Sequence, residues 1–318
     1  PHTKWDWFNQ KVDNPRIFDM IPQEDHSYKI KVKNPLDKLR MPHYGLNDQE
    51  LDAVTTVIMG WVKDEIPTTK LPARNERNIA IEAGEKLIRQ YNCQGCHAID
   101  GDGGAIQPTI ASWIGDIADE TNAEDRGIVL SFSPPMLDTE GRKVQPDWLL
   151  KFFKNPTMIR PNLAVRMPTF KMMSDDDWNT IIKYFQLKDG QTLPYENPHM
   201  VNKQSTSYKA GDVIADMGGC QNCHFYGNQK PRQAAVTWGP NLALTKERLR
   251  PEWLIEWFKD PQVIMPGTKM PAPYIPVDEP VASVKEVWGK NVAKLHSEPE
   301  KLLEAIRDFT WAVSGPTD

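Results

Sequence analysis

The chain has 318 residues, 39% of them hydrophobic and 25% charged, which is enough for two or three domains with buried cores. Its net charge of −5 argues against nucleic acid as a partner. No window approaches the roughly 18 uncharged apolar residues of a transmembrane segment; the longest apolar stretch, 51–62, holds Asp52 and two threonines and reads as a buried helix.

The chain opens at Pro1, with no charged or apolar leader region in front. The expectation is that a leader, and with it further sequence, is missing. Residues 1–66 read as the back half of a unit that recurs twice downstream. Asp6-Trp7 is followed by Asn14-Pro15, then Arg40-Met41-Pro42, then a helix over 47–62. That helix begins Asn47-Asp48-Gln49-Glu50, a cap-x-x-Glu pattern that satisfies free amides at a helix start. Residues 63–75 are rich in Pro and polar side chains and read as a linker.

The first complete unit, 67–200, carries Ala83-Gly84 and then Cys93-Gln94-Gly95-Cys96-His97. Extra residues between Gly101 and Ser133 read as a surface loop. Asp100-Gly101-Asp102-Gly103-Gly104 resembles a calcium loop but lacks the later Glu, so it reads as a turn. Pro135-Met136-Leu137 follows, then the segment QPDWLLKFFKNP. Pro146 suits a first helical turn. Trp148 and Phe152 share a face, and Pro156 stops the helix. Arg166-Met167-Pro168 and a helix over 174–187 close the unit. Residues 188–207 read as a second linker.

The last unit, 201–318, repeats the order. Ala210-Gly211 leads to Cys220-Gln221-Asn222-Cys223-His224, then Pro240-Asn241-Leu242, the segment RPEWLIEWFKDP and Lys269-Met270-Pro271. An insert at 275–295 reads as a partner-binding surface. The final helix is expected to start at Ser297-Glu298-Pro299-Glu300. No alternating run of strand length appears, so the fold class is all-α.

All four cysteines lie in the two C-x-x-C-H motifs. Cysteines three apart on one turn make a poor structural staple, and four in this length is no disulfide scaffold. Zinc ribbons separate their pairs by about 15–20 residues, whereas these pairs sit in separate copies of a repeat. A thioredoxin-like dithiol needs a strand–helix context that the sequence lacks. Covalent haem fits the pattern. The two thiols reach the two vinyl groups of one porphyrin, and the adjacent histidine turns onto the iron. Two haems c are therefore expected, one on Cys93, Cys96 and His97 and one on Cys220, Cys223 and His224.

The opposite face of each iron calls for a further ligand or stays open. Methionine is suited to it, and His/Met ligation raises the reduction potential. Met167 and Met270 stand at matched positions between a basic residue and a proline. Met172 and Met173 lack that setting, and Met265 does not align. Pro135 and Pro240 are either carbonyl acceptors for the histidine ring N–H or plain turn prolines. Trp148, Trp253 and Trp257 either lie against haem edges or pack their helices. Met41 stands where the half-unit would place its ligand, so a third haem is expected there only if it is supplied from outside this segment. The attachment half is missing from the sequence, is supplied by a second polypeptide, or was lost from a haem-free relic.

C-x-x-C-H, P-x-L, a D/E-W helix ending in N/D-P, then K/R-M-P and a last helix together resemble class I cytochrome c. The resemblance covers most of 75–187 and 208–313 and the half-unit before 66. It implies tandem class I cytochrome c domains, two complete plus one N-terminal half-domain. First and last helices would cross beside each haem, with Gly84 and Gly211 at the crossings. It also implies haem attachment outside the cytoplasm, hence a periplasmic location in a bacterium. The tandem arrangement is similar to multihaem subunits of bacterial respiratory complexes, which implies redox partner proteins that include membrane-associated subunits. With both iron faces filled, the chain would carry electrons. The rival reading is a dihaem enzyme such as a peroxidase, which needs one open iron and an acid–base group above it. A haem sensor or docking subunit is a third class, without a visible effector domain.

Overall fold

The computed structural model describes residues 3–24, 28–30, 41–61, 75–114, 123–161, 163 and 165–316. Arg40 and the first linker up to residue 74, with the expected boundary at 66/67, lie outside the described residues. The chain forms two compact units, 1–78 and 79–318.

In the first unit, helix α1 (Lys4–Asp13) starts in a capping box between Thr3 and Asp6. It buries Trp5 and Val12, while Trp7, the residue the repeat pattern singles out, is 44% exposed. A short antiparallel ribbon follows, β1 (Met20–Pro22) with β2 (Tyr28–Ile30), in register Met20 to Ile30. Helix α2 (Asp48–Trp61) begins as its sequence predicts. The Glu50 amide donates to Asn47 Oδ1 at 3.0 Å and the Asn47 amide donates to the Glu50 carboxylate at 2.9 Å. Leu51, Thr55 and Met59 face inward. Asn9 on α1 donates to Asp52 at 3.2 Å and to Thr55 at 3.4 Å, which ties the two helices together.

The second unit begins within α3 (Glu76–Gln90). A 3-10 turn at Cys93–Gly95 leads to a small ribbon, β3 (Ala98–Ile99) with β4 (Asp102–Gly103). Then come α4 (Gln107–Ile114), α5 (Ala123–Phe132), α6 (Glu140–Lys143), α7 (Pro146–Lys154) and α8 (Asp175–Lys188). The second copy runs α9 (Thr206–Met217), a 3-10 turn at Cys220–Asn222, α10 (Thr245–Arg248), α11 (Pro251–Lys259) and α12 (Pro261–Ile264). It closes with α13 (Val281–Val287), α14 (Gly289–Leu295) and α15 (Pro299–Ala312). The two ribbons depart from an all-α chain, but each strand is only two or three residues long, too short to read as an alternating pattern.

Each copy has its own core. One gathers Ile88, Leu149, Phe153, Trp178, Ile181 and Phe185; the other gathers Ile214, Trp253, Phe258, Leu302, Ile306 and Trp311. First and last helices meet at the expected glycines. A Cβ on Gly84 would stand 2.2 Å from the Tyr184 Cβ, and one on Gly211 would stand 1.8 Å from the Ala305 carbonyl oxygen. Both lie far inside contact distance, so only glycine allows the backbones to come this close.

Four expectations need correction. The extra residues after Gly101 are not only loop: α4 and α5 form a small core of Ile110, Ala111 and Val129, because their apolar residues recur at helical spacing. The insert at 275–295 is not purely a surface. Val284 and Val292 are fully buried, with Trp288 beside them in the core, each Val contributing about 1.5–3 kcal/mol by leaving water. Helix α15 does not use Ser297 as its cap; Glu298 holds that place without a side-chain bond, and Pro299 supplies the first turn. The second linker is packed. Tyr195 lies under the Arg250 guanidinium at 4.0 Å, Gln191 accepts from Arg250 at 3.0 Å, and His199 meets Asp308 of α15 at 3.1 Å.

The two copies join along a reciprocal seam. The Gln145 amide donates to the Arg248 carbonyl at 2.8 Å, and the Arg250 amide donates to the Lys143 carbonyl at 2.9 Å. Val144 and Leu249 pair antiparallel between them. The Gln145–Arg248 contact is mirrored by Arg250–Lys143, and Val144 meets its own counterpart Leu249, which is the signature of a local two-fold relation. Arg142 adds an ion pair to Glu256 at 2.6 Å.

Candidate functional site

In both copies the motif is built the same way. A residue in the left-handed region, Asn92 (φ 52) or Gly219 (φ 67), breaks the preceding helix. The chain then folds into the 3-10 turn that carries the cysteines. The His97 amide donates to the Cys93 carbonyl at 2.9 Å and the His224 amide donates to the Cys220 carbonyl at 3.0 Å. Both thiols and the imidazole of each motif thus arise from a single turn.

His97 Nδ1 lies 2.8 Å from the Pro135 carbonyl oxygen, and His224 Nδ1 lies 2.7 Å from that of Pro240. A carbonyl can only accept, so Nδ1 carries the proton and Nε2 keeps its lone pair. Burial lowers the pKa of both rings, which holds them neutral. A neutral imidazole, oriented by a carbonyl behind it, is the form that ligates a metal.

The four cysteines are free thiols. Burial pushes the Cys93 thiol up, and the Cys220 thiol to about 11. Among the described residues, no group of three or more His, Cys, Asp or Glu side chains could hold a metal ion by itself.

A single cavity of about 760 Å³ is lined by both motifs. Met167 and Met270 border it with His97 and His224. Met158 and Met265 border it as well, but the Met158 sulfur accepts from Arg166 at 3.4 Å. The Met270 sulfur lies 2.9 Å from Trp257 Nε1. The tryptophans form stacked walls: Trp148 on Phe152 with centroids 5.0 Å apart, and Trp253 on Trp257 at 5.1 Å. Met41 lies in the segment leading into α2, partly exposed.

Sequence reasoning missed two features. Gly239 lies so close to the second histidine that a Cβ there would stand 2.6 Å from His224 Cε1. Cations also border the cavity: beside Arg166 and Lys269, which precede the matched methionines, stand Lys143, Arg160 and Arg248. Lys143 pairs with Glu140 at 3.2 Å, and Arg160 donates to the Ser131 and Ser133 carbonyls at 3.1 and 3.0 Å. Burial lowers the pKa of Lys143, Arg160 and Arg248, that of Arg160 to about 10. Lys143 and Arg248 share one position, five residues before the matched tryptophans, and that match was a usable signal.

The donor set fits haem c at each motif: a thiol pair, an imidazole with a free Nε2, bordering thioethers, aromatic walls and cations for an anionic edge. Residues 79–185 match the family model described as Cytochrome C oxidase, cbb3-type, subunit III. This segment is therefore similar to a class I-like cytochrome c domain, a domain type that implies covalently bound haem c and haem-based electron transfer. No curated protein and no solved structure matches the chain. Among the described residues, no helix is long and apolar enough to cross a membrane.

Proposed function

We propose that this chain is an extracytoplasmic electron carrier with two covalent haems c, held by Cys93 and Cys96 and by Cys220 and Cys223. His97 and His224 would each supply a nitrogen ligand to the irons, and Met167 and Met270 a sulfur ligand. The observation that carries the reading is the pair of histidines. Each donates its Nδ1–H to a proline carbonyl, which leaves the Nε2 lone pair available for iron at the edge of one shared cavity.

Bound there, each haem would supply reversible one-electron chemistry. The chain's own part is to exclude water with stacked aromatics and hold neutral imidazoles in one orientation. It also offers sulfur donors that favour the reduced iron. Two sites bordering one cavity support transfer between them. The match to a cbb3-type cytochrome subunit model supports service in a larger respiratory redox complex, with redox partner proteins that include membrane-associated subunits, and a periplasmic location. The N-terminal unit is read as a half-domain whose Met41 meets a third haem only when another segment or polypeptide brings one.

The test is optical. The oxidised holoprotein is expected to show a sulfur-to-iron charge-transfer band from both haems and no change with peroxide. A high-spin iron that reacts with peroxide would instead identify a dihaem peroxidase.

A further inference from the structure

We propose that Lys143, Arg160 and Arg248 form one shared seat for the carboxylates of both porphyrins, so that each cation acts on both haem sites. The proposal rests on the haem reading above and goes beyond it, to what joins the two sites.

Among the described residues, five cations border the cavity; Arg166 and Lys269 donate to the Val165 and Val236 carbonyls, while Lys143, Arg160 and Arg248 lie together with one acidic neighbour, Glu140, which pairs with Lys143. The cluster keeps an excess of positive charge. Arg160 spends two of its N–H groups on the Ser131 and Ser133 carbonyls, dipoles that leave its charge unbalanced. Arg248 Nε and Trp253 Nε1 are buried with no hydrogen-bond partner among the described residues. A buried cation or donor without a partner costs several kcal/mol, so an anion that accepts hydrogen bonds balances this place. The group the cavity is built for carries such anions, its peripheral carboxylates.

The seam explains why the seat is shared. Lys143 of the first copy lies 5.8 Å from the Trp253 ring of the second, and Arg248 of the second lies 5.3 Å from the Trp148 ring of the first. Lys143 and Arg248 each lean on the other copy's wall, and Arg160 stands close enough to act electrostatically on both. The backbone exchange at 143–145 and 248–250 fixes them there. Positive charge disfavours the oxidised iron, so removing a cation lowers the potential of every haem it faces.

The experiment is a spectroelectrochemical titration of holoprotein carrying Arg248→Gln, beside wild type and Arg248→Lys. Both haems are expected to become at least tenfold harder to reduce in Arg248→Gln, a fall of 59 mV each for a one-electron couple. Arg248→Lys, which keeps the charge, is expected to restore most of it. Lys143→Gln and Arg160→Gln read the same quantity should Arg248→Gln fail to fold. A shift confined to one haem, or none at either, in a variant that retains both haems by intact mass overturns the shared seat. A wild-type chain without covalent haem overturns instead the reading on which the seat rests.

Discussion

Two side chains show how finely the candidate sites differ. Trp257 donates to the Met270 sulfur, while its counterpart in the first copy is Phe152, which has no N–H. An indole proton on sulfur withdraws density from the donor atom. Trp257→Phe should therefore strengthen sulfur donation to oxidised iron and lower the potential of the second haem alone. The shift should be on the order of one hydrogen bond, about 0.5–1.5 kcal/mol, in a potentiometric titration that resolves the two haems. Gly239 supplies a second test. Gly239→Ala forces a methyl group against His224, so the low-spin spectrum of the second site should be lost while the first stays intact. What the sequence made legible at this scale was the local chemistry. C-x-x-C-H fixes its own geometry within one turn, and the proline carbonyls follow from a matched position. Arg160 and the orphan Nε of Arg248 were not legible, because the burial of a charge depends on which distant segment covers it.

At the scale of elements, the glycine crossings carry the fold. Gly211→Ala would drive a methyl group into the Ala305 carbonyl and part α9 from α15. The expected cost is roughly 1–3 kcal/mol, read as a lower midpoint in chemical denaturation. The packed linker gives a pH test. His199 sits against Asp308 beside Arg307, and burial first, then Arg307, lowers its pKa below about 6.5. The unfolded chain then binds that proton more readily than the folded one, so stability falls as pH drops through about 6.5. His199→Gln should flatten this part of the profile of thermal midpoint against pH between about 7.5 and 5. Helices with strong caps or a first-turn proline, α2, α7, α8 and α11, could be read from sequence because their signals are local. The buried side of the insert at 275–295 was not legible because Val292 is covered only once α14 lies on α9, and Val284 only once α13 packs on α14.

At the scale of the whole molecule, repetition was readable and its consequence was not. Matched motifs gave two copies of one unit. That the copies meet through equivalent residues, and that both motifs border one cavity, is a tertiary fact with no mark in spacing. The N-terminal unit repeats the pattern in part. Helix α2 forms where the repeat predicts it, but α1 buries Trp5 rather than Trp7, so its packing is its own. The central claim is that each thiol pair holds a haem. Intact mass and the pyridine haemochrome spectrum measure it most directly, on protein made where haem is attached to exported chains. Two covalent haems are expected in wild type, one after Cys93→Ala with Cys96→Ala, and one after Cys220→Ala with Cys223→Ala. A colourless wild-type protein at its bare polypeptide mass would contradict the account.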